Sequence, residues 1–103
     1  MEKSLDTPYV YYVLRDDLLT STYKKNTRIT LEIAKDIVKD RLDFADHRPV
    51  LVLLYSEGVK GIDKKARDYF SSEKGVEGLI AVACVVKNKF SSFITNFFLA
   101  ITT

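Results

Sequence analysis

The sequence predicts an α/β protein in which a mixed sheet of about four strands is flanked by helices, in the order ββαβαβα. Two apolar runs, Val50–Tyr55 and residues 80–86, show no polar alternation, which is typical of strands covered on both faces. A loop and a helical pattern separate these runs, as in a βαβ crossover. A further segment, Leu31–Phe44, has the apolar spacing of an amphipathic helix.

The first half of the chain predicts a hairpin followed by a helix. Residues 9–14 are aromatic and β-branched and predict a strand, and Leu18–Tyr23 predicts a second one. The short polar connection at residues 15–17 predicts that the two strands are antiparallel. Thr30 is the expected N-cap of the next helix. The apolar stripe of that helix consists of Leu31, Ala34, Ile37, Val38, Leu42 and Ala45.

The second half predicts strand, loop, helix, strand and a final helix. Residues 56–61 contain two glycines and predict a loop, after which Asp63 is expected to cap a helix that ends near Phe70. The run at residues 80–86 follows as a strand. From Asn88 onward apolar residues recur at helical spacing, which predicts a C-terminal helix with an aromatic stripe. This stripe contains Phe90, Phe93, Ile94, Phe97, Phe98 and Ile101.

The length and the charge narrow the class of protein. The 103 residues predict a single domain spanning residues 1–103. The net charge is +2 and both signs are interleaved, which argues against nucleic-acid binding, since that function favours a concentrated basic stripe. No segment reaches the roughly 18 apolar residues of a membrane span. A single cysteine and the lack of a secretory signal predict a cytoplasmic protein.

The sequence shows no recognisable catalytic constellation. His47, the one histidine, lies in a polar turn, and Cys84 lies within an apolar run. No His, Cys and carboxylate spacing matches a zinc site, and the glycines at 58 and 61 match neither common nucleotide-binding motif. We therefore predict no enzymatic activity, no catalytic residue, no metal ligand and no cofactor.

Three stretches, residues 29–41, 59–67 and 96–99, resemble a family of small bacterial proteins of unknown function. This family is related in fold to the anti-sigma-factor antagonist (STAS, SpoIIAA-like) domain and is often labelled STAS/SEC14-like. The resemblance spans residues 9–101 and implies a STAS-like fold. No enzymatic activity attaches to the family, so the resemblance bears on fold far more than on function.

The chain departs from the pattern of these relatives in two places. The antagonists open one helix with an aspartate and a phosphorylatable serine, whereas this chain has Asp63 followed by Lys64, so we expect no phosphorylation switch there. The relatives also continue beyond residues 96–99 with a strand and a helix, which this chain is expected to lack. The uncovered aromatic stripe then predicts a homo-oligomer, either a homodimer or a higher symmetric oligomer, built around the tail helix and the sheet edge beside it.

Two functions remain open from the sequence. The first is a regulatory protein-interaction module that binds a partner protein through the loop at 56–61 and the start of the next helix. The second is a carrier or sensor of a lipid or another apolar small molecule, as the SEC14-like label implies. The predicted partner-binding residues are Glu57, Lys60, Asp63, Lys64 and Arg67. The predicted oligomer interface consists of Phe93, Phe97, Phe98 and Ile101.

Overall fold

The computed structural model describes residues 2–87 and 94–100. Its strands are β1 (Glu2–Asp6), β2 (Val10–Arg15), β3 (Leu18–Tyr23), β4 (Thr27–Ile29), β5 (Val50–Tyr55), β6 (Val59–Ile62), β7 (Leu79–Lys87) and β8 (Ile94–Ala100). Its helices are α1 (Leu31–Phe44), α2 (Lys64–Phe70) and α3 (Glu73–Val76). The predicted α/β class with a mixed sheet is confirmed.

The main sheet has six strands in the order β1-β2-β3-β5-β7-β8. Strands β1, β2 and β3 are antiparallel, β3, β5 and β7 are parallel, and β8 returns antiparallel to β7. The predicted hairpin is confirmed, and its turn places Asp16 at a φ of 55°, a conformation that aspartate tolerates better than most residues. The parallel pairing of β5 with β7 confirms the predicted crossover. The sheet exceeds the predicted size partly because β1, which has no strand-like pattern, pairs with β2.

The core lies between one face of this sheet and α1. Strand β2 alternates, so that Val10 and Tyr12 are fully buried whereas Tyr11 is 42% exposed. Helix α1 begins after Thr30, whose hydroxyl accepts a hydrogen bond from the Ile33 amide at 3.3 Å, which confirms the predicted cap. The apolar stripe of α1 is buried against the sheet. The opposite face of the sheet keeps large apolar side chains exposed, namely Tyr11, Leu18, Leu51 and Ile80.

A second, two-stranded sheet corrects the prediction of a loop over residues 56–61. Its strands β4 and β6 are parallel, and the Thr27 amide donates to the Gly58 carbonyl at 3.2 Å where they begin. Gly58 passes so close to the neighbouring backbone that an added Cβ would lie 2.5 Å from the Lys24 carbonyl oxygen. The loop prediction was wrong for residues 59–61, which belong to β6, because the partner strand β4, three residues long, carries no recognisable strand pattern of its own.

The predicted C-terminal helix is wrong over Ile94–Ala100, which forms strand β8. This segment is rich in aromatic and β-branched residues, so it suits a strand as well as a helix. Pairing with β7 satisfies the backbone groups on one side of β8 and occupies the edge that the sequence reasoning left open. Phe90, Phe93 and Ile101 lie outside the described residues.

Candidate ligand-binding cavity

A cavity of about 570 Å³ lies between the helix-covered face of the main sheet and the helices. Its volume falls within the range of roughly 300–1,000 Å³ that is usual for small-molecule pockets. Strands β2, β3, β5 and β7 form its floor, and α1, α2 and α3 contribute to its walls. The lining is mostly apolar and includes Val38, Val52, Leu54, Phe70, Leu79 and Val82.

Besides Ser56 and Ser71, which are less buried, four polar side chains interrupt this apolar lining: Tyr12, Ser21, Tyr23 and Arg41. Each of them is at most 8% exposed. Tyr12 and Ser21 are partners across β2 and β3 and therefore point to the same face of the sheet. Tyr23 follows Ser21 by two residues and shares that face, while Arg41 comes from α1 above it. The fold thus brings three strand residues and one helix residue into one buried polar cluster.

Arg41 links α1 to the end of α3. Its guanidinium donates to the Glu77 carbonyl at 2.8 Å and to the Gly75 carbonyl at 3.0 Å. None of the ion pairs found in the described part of the chain includes Arg41, because the Glu77 carboxylate pairs with Lys74 and His47 instead. Burial lowers the pKa of Arg41, yet an arginine remains protonated near neutral pH. The cavity therefore contains a buried positive charge with no carboxylate bound to it.

Two hydroxyls of the cluster have unused hydrogen-bonding capacity. The Tyr12 hydroxyl donates to the Ile37 carbonyl at 3.2 Å, whereas those of Ser21 and Tyr23 bond to none of the described residues. In the part of the chain whose side chains the structure describes, no fully buried side-chain nitrogen or oxygen lacks a partner, and both hydroxyls belong to residues that line the cavity. Burial raises the pKa of Tyr12 and that of Tyr23 above the ordinary value of a tyrosine, so both phenols are neutral.

Cys84 also lines the cavity, next to the polar cluster. Its side chain is half-buried, and its Sγ lies 3.6 Å from the Ser56 Oγ. Val82, two residues earlier on β7, lines the same cavity. Because Cys84 is the single cysteine of the chain, its thiol reports on access to this cavity without interference from other thiols.

The predicted partner-binding residues lie outside the cavity. Glu57 and Lys60 are exposed and line an open surface groove. Asp63 precedes α2 as predicted, but its carboxylate makes no cap bond and accepts a 2.8 Å bond from Arg28. Lys64 and Arg67 are both exposed on α2. These residues therefore lie along one segment, β6 and the start of α2, away from the buried cluster.

Of the predicted oligomer-interface residues, the structure describes the backbone of two. Phe97 and Phe98 lie on β8 and are the register partners of Cys84 and Ala83. Phe93 and Ile101 lie outside the described residues. The four residues therefore do not form the helical stripe on which the interface prediction depended.

Sequence reasoning missed the buried cluster, although one signal was present. Arg41 falls inside the apolar stripe of α1, three and four residues after Val38 and Ile37 and directly before Leu42. A charged residue at such a position is buried together with the apolar residues around it. Because charged side chains are almost never fully buried unless they are paired, such a position is a signal of a special role. Ser21 and Tyr23 gave no comparable signal, because hydroxyl-bearing residues are ordinary in strands.

The fold and the cavity define an α/β protein with helices on one sheet face and a mostly apolar internal cavity. None of the helices in the described residues is long and apolar enough to span a membrane. Residues 12–103 match the family described as "Domain of unknown function (DUF7793)", and the chain belongs to this family. No curated protein and no solved structure matches the chain.

Proposed function

We propose that the protein is a non-enzymatic carrier or sensor that binds an apolar small molecule in the cavity beneath α1. The observation that supports this function is the cavity itself, with about 570 Å³ of space, a mostly apolar lining and a few buried polar groups. This combination is typical of small-molecule sites. The resemblance to STAS/SEC14-like proteins is a prediction from sequence and is compatible with a lipid-like ligand. The cytoplasmic location is likewise a prediction.

The cavity can be tested with two leucines that are neighbours on β5. Leu54 lines the cavity, whereas the adjacent Leu53 projects from the opposite face of the sheet. We expect Leu54→Trp to fill the cavity and to weaken binding of the neutral dye phenylnaphthylamine by about tenfold or more, and Leu53→Trp to leave binding near the wild-type value. Fluorescence titration measures both, with circular dichroism as the check on folding.

Alkylation of Cys84 provides a second readout in the wild-type protein. Dodecanol is expected to slow the reaction of Cys84 with iodoacetamide, because a bound chain would occupy the space in front of the thiol. If both tryptophan variants bound the dye as well as the wild type, and dodecanol gave no protection, the cavity would not be a binding site.

A second candidate is an interaction module whose first partner is another copy of the chain. The exposed apolar residues of the open sheet face favour it, since Leu18 and Leu51 are paired neighbours there and each is 42% exposed. Six strands spaced about 4.8 Å apart and about 20 Å long give a face of nearly 600 Å² per copy. Two such faces reach the lower limit of a specific interface, roughly 1,200 Å² in total. The proposed homo-oligomer therefore uses this face instead of a tail helix.

Light scattering coupled to size exclusion tests the homo-oligomer. We expect a dimer at tens of micromolar protein and a monomer for Leu51→Lys, because a charge at the centre of the interface would be desolvated without a partner. Lys35→Leu on the exposed side of α1 is the matched control and should remain dimeric. A wild-type mass equal to one chain would contradict the dimer.

The regulatory partner surface also remains a proposal. Its supporting observation is that Glu57, Lys60, Lys64 and Arg67 are exposed along β6 and α2. The side chains of Lys24 and Lys25 border the same groove as Glu57 and Lys60, so the local charge is mainly positive. A protein partner at this surface would present acidic residues to it.

A further inference from the structure

We propose that the ligand of the cavity is an amphipathic carboxylate, such as a fatty acid, whose head group binds Arg41, Tyr23 and Ser21. This inference rests on the proposed function, because it names the chemical class of the molecule that the cavity holds.

The charge of the cavity favours an anion. Among the described residues that line it, Arg41 is the one with a charged side chain. Its 6% exposure leaves the guanidinium with little water to balance its charge, and its bonds to the carbonyls of Gly75 and Glu77 supply dipoles but no negative charge. A guanidinium has five N–H donors, of which these two bonds use two. The remaining donors match a carboxylate, which also supplies the missing opposite charge.

The unused hydroxyls indicate where the head group lies. Ser21 and Tyr23 are 3% and 8% exposed, and neither hydroxyl bonds to any of the described residues. A ligand in the cavity with acceptor oxygens would take up the hydrogen-bonding capacity of these two hydroxyls. Arg41 and Tyr23 line the same cavity, and both are at most 8% exposed. A carboxylate has two oxygens and can accept from the arginine and from a hydroxyl at once.

The apolar lining suits the rest of such a molecule. Leu54, Val82 and Phe70 are among the apolar side chains that make up most of the cavity wall. An alkyl chain placed there would bury its own apolar surface and that of the cavity wall. Each Å² of apolar surface removed from water stabilises the complex by about 25 cal/mol. A fully polar anion such as inorganic phosphate would leave this wall unfilled, and a cationic amphiphile would be repelled by Arg41.

Isothermal titration of dodecanoate and dodecanol, which share one alkyl chain, tests the proposal. We expect wild-type protein to bind dodecanoate about tenfold or more tightly than dodecanol, and Arg41→Gln to lose this preference while still binding dodecanol. Tyr23→Phe should weaken dodecanoate binding by about fivefold without lowering stability, since the Tyr23 hydroxyl bonds to none of the described residues. Tyr11→Phe, on the open face, should change neither affinity.

The outcomes separate this inference from the proposed function. Binding of dodecanol with no preference for dodecanoate would overturn the carboxylate proposal and leave the apolar carrier intact. Binding of neither compound would overturn both. If Arg41→Gln fails to fold, Arg41→Lys and the double variant Ser21→Ala/Tyr23→Phe take its place. The lysine variant should keep the preference for dodecanoate and the double variant should lose most of it, and the reverse result would contradict the proposal.

Discussion

We expect Arg41→Ala to lower the free energy of unfolding by about 3 kcal/mol in the absence of ligand. Truncation leaves the buried carbonyls of Gly75 and Glu77 without their donors and detaches α3 from α1. It also opens a void under the helix, which adds a cavity cost. Removal of a buried charge relieves its desolvation, but that gain is smaller than the loss of two charge-assisted bonds together with the void. Urea denaturation followed by circular dichroism measures the difference.

Arg48→Ala is the matched control for this change. Arg48 is exposed, and its contact is one long bond of 3.4 Å from Nε to the nearby Ala45 carbonyl. Its loss should alter stability by no more than about 0.5 kcal/mol, as is usual for surface positions. Equal stabilities for the two alanine variants would show that Arg41 does not hold α1 to α3. Such a result would also weaken its assignment to a buried cluster.

We expect Gly75→Ala to lower the free energy of unfolding by roughly 3 kcal/mol, about as much as Arg41→Ala, or to prevent α3 from forming. An added Cβ at Gly75 would lie well under 3.0 Å from the carbonyl oxygens of Tyr69 and Phe70. These are backbone atoms at the end of α2, so they cannot rotate away as a side chain would. The helices α2 and α3 would have to separate, and the Gly75 carbonyl would then move away from Arg41. Thermal unfolding measures the loss of stability, and dye binding reports the change in the cavity.

Gly61→Ala controls for the general effect of removing a glycine. Its Cβ would meet the end of the Arg28 side chain at 3.0 Å, and that flexible group is exposed and can move. The expected change is within about 0.5 kcal/mol. A Gly75→Ala variant as stable as Gly61→Ala would mean that the junction between α2 and α3 tolerates a wider separation than the structure shows.

Local patterns in the sequence were sufficient for much of the fold. The sequence predicted, and the structure confirms, helix α1 with its Thr30 cap, the hairpin of β2 and β3, and the strands β5 and β7. In each case the apolar periodicity or the capping residue lies within one short segment, so the sequence of that segment is sufficient to predict its structure. The strands β1, β4 and β6 were missed because each is stabilised by a neighbouring strand and not by a pattern of its own.

Much less of the candidate site than of the fold could be predicted from the sequence. Of the predicted partner residues, Lys60 lies on strand β6 whereas Lys64 and Arg67 lie on α2, and whether they bind a protein stays a prediction. The buried cluster was not predicted, although Arg41 within the stripe of α1 pointed to it. Tyr12, Ser21 and Tyr23 join Arg41 because two strands pair in one register and α1 crosses them. A register of this kind depends on contacts between segments that are distant along the chain.

The sequence by itself determined the α/β class, the hairpin, α1 with its cap, and the crossover from β5 to β7. These elements follow from hydrophobic periodicity and capping, which act over a few residues. The tertiary structure alone decided that Ile94–Ala100 is a strand, since its residues suit either state and the edge of β7 provides the hydrogen bonds. It also decided that the buried Arg41 lines one mostly apolar cavity with Ser21 and Tyr23, whose hydroxyls bond to none of the described residues. Such a cluster forms only when separate elements pack together, because no single segment contains it.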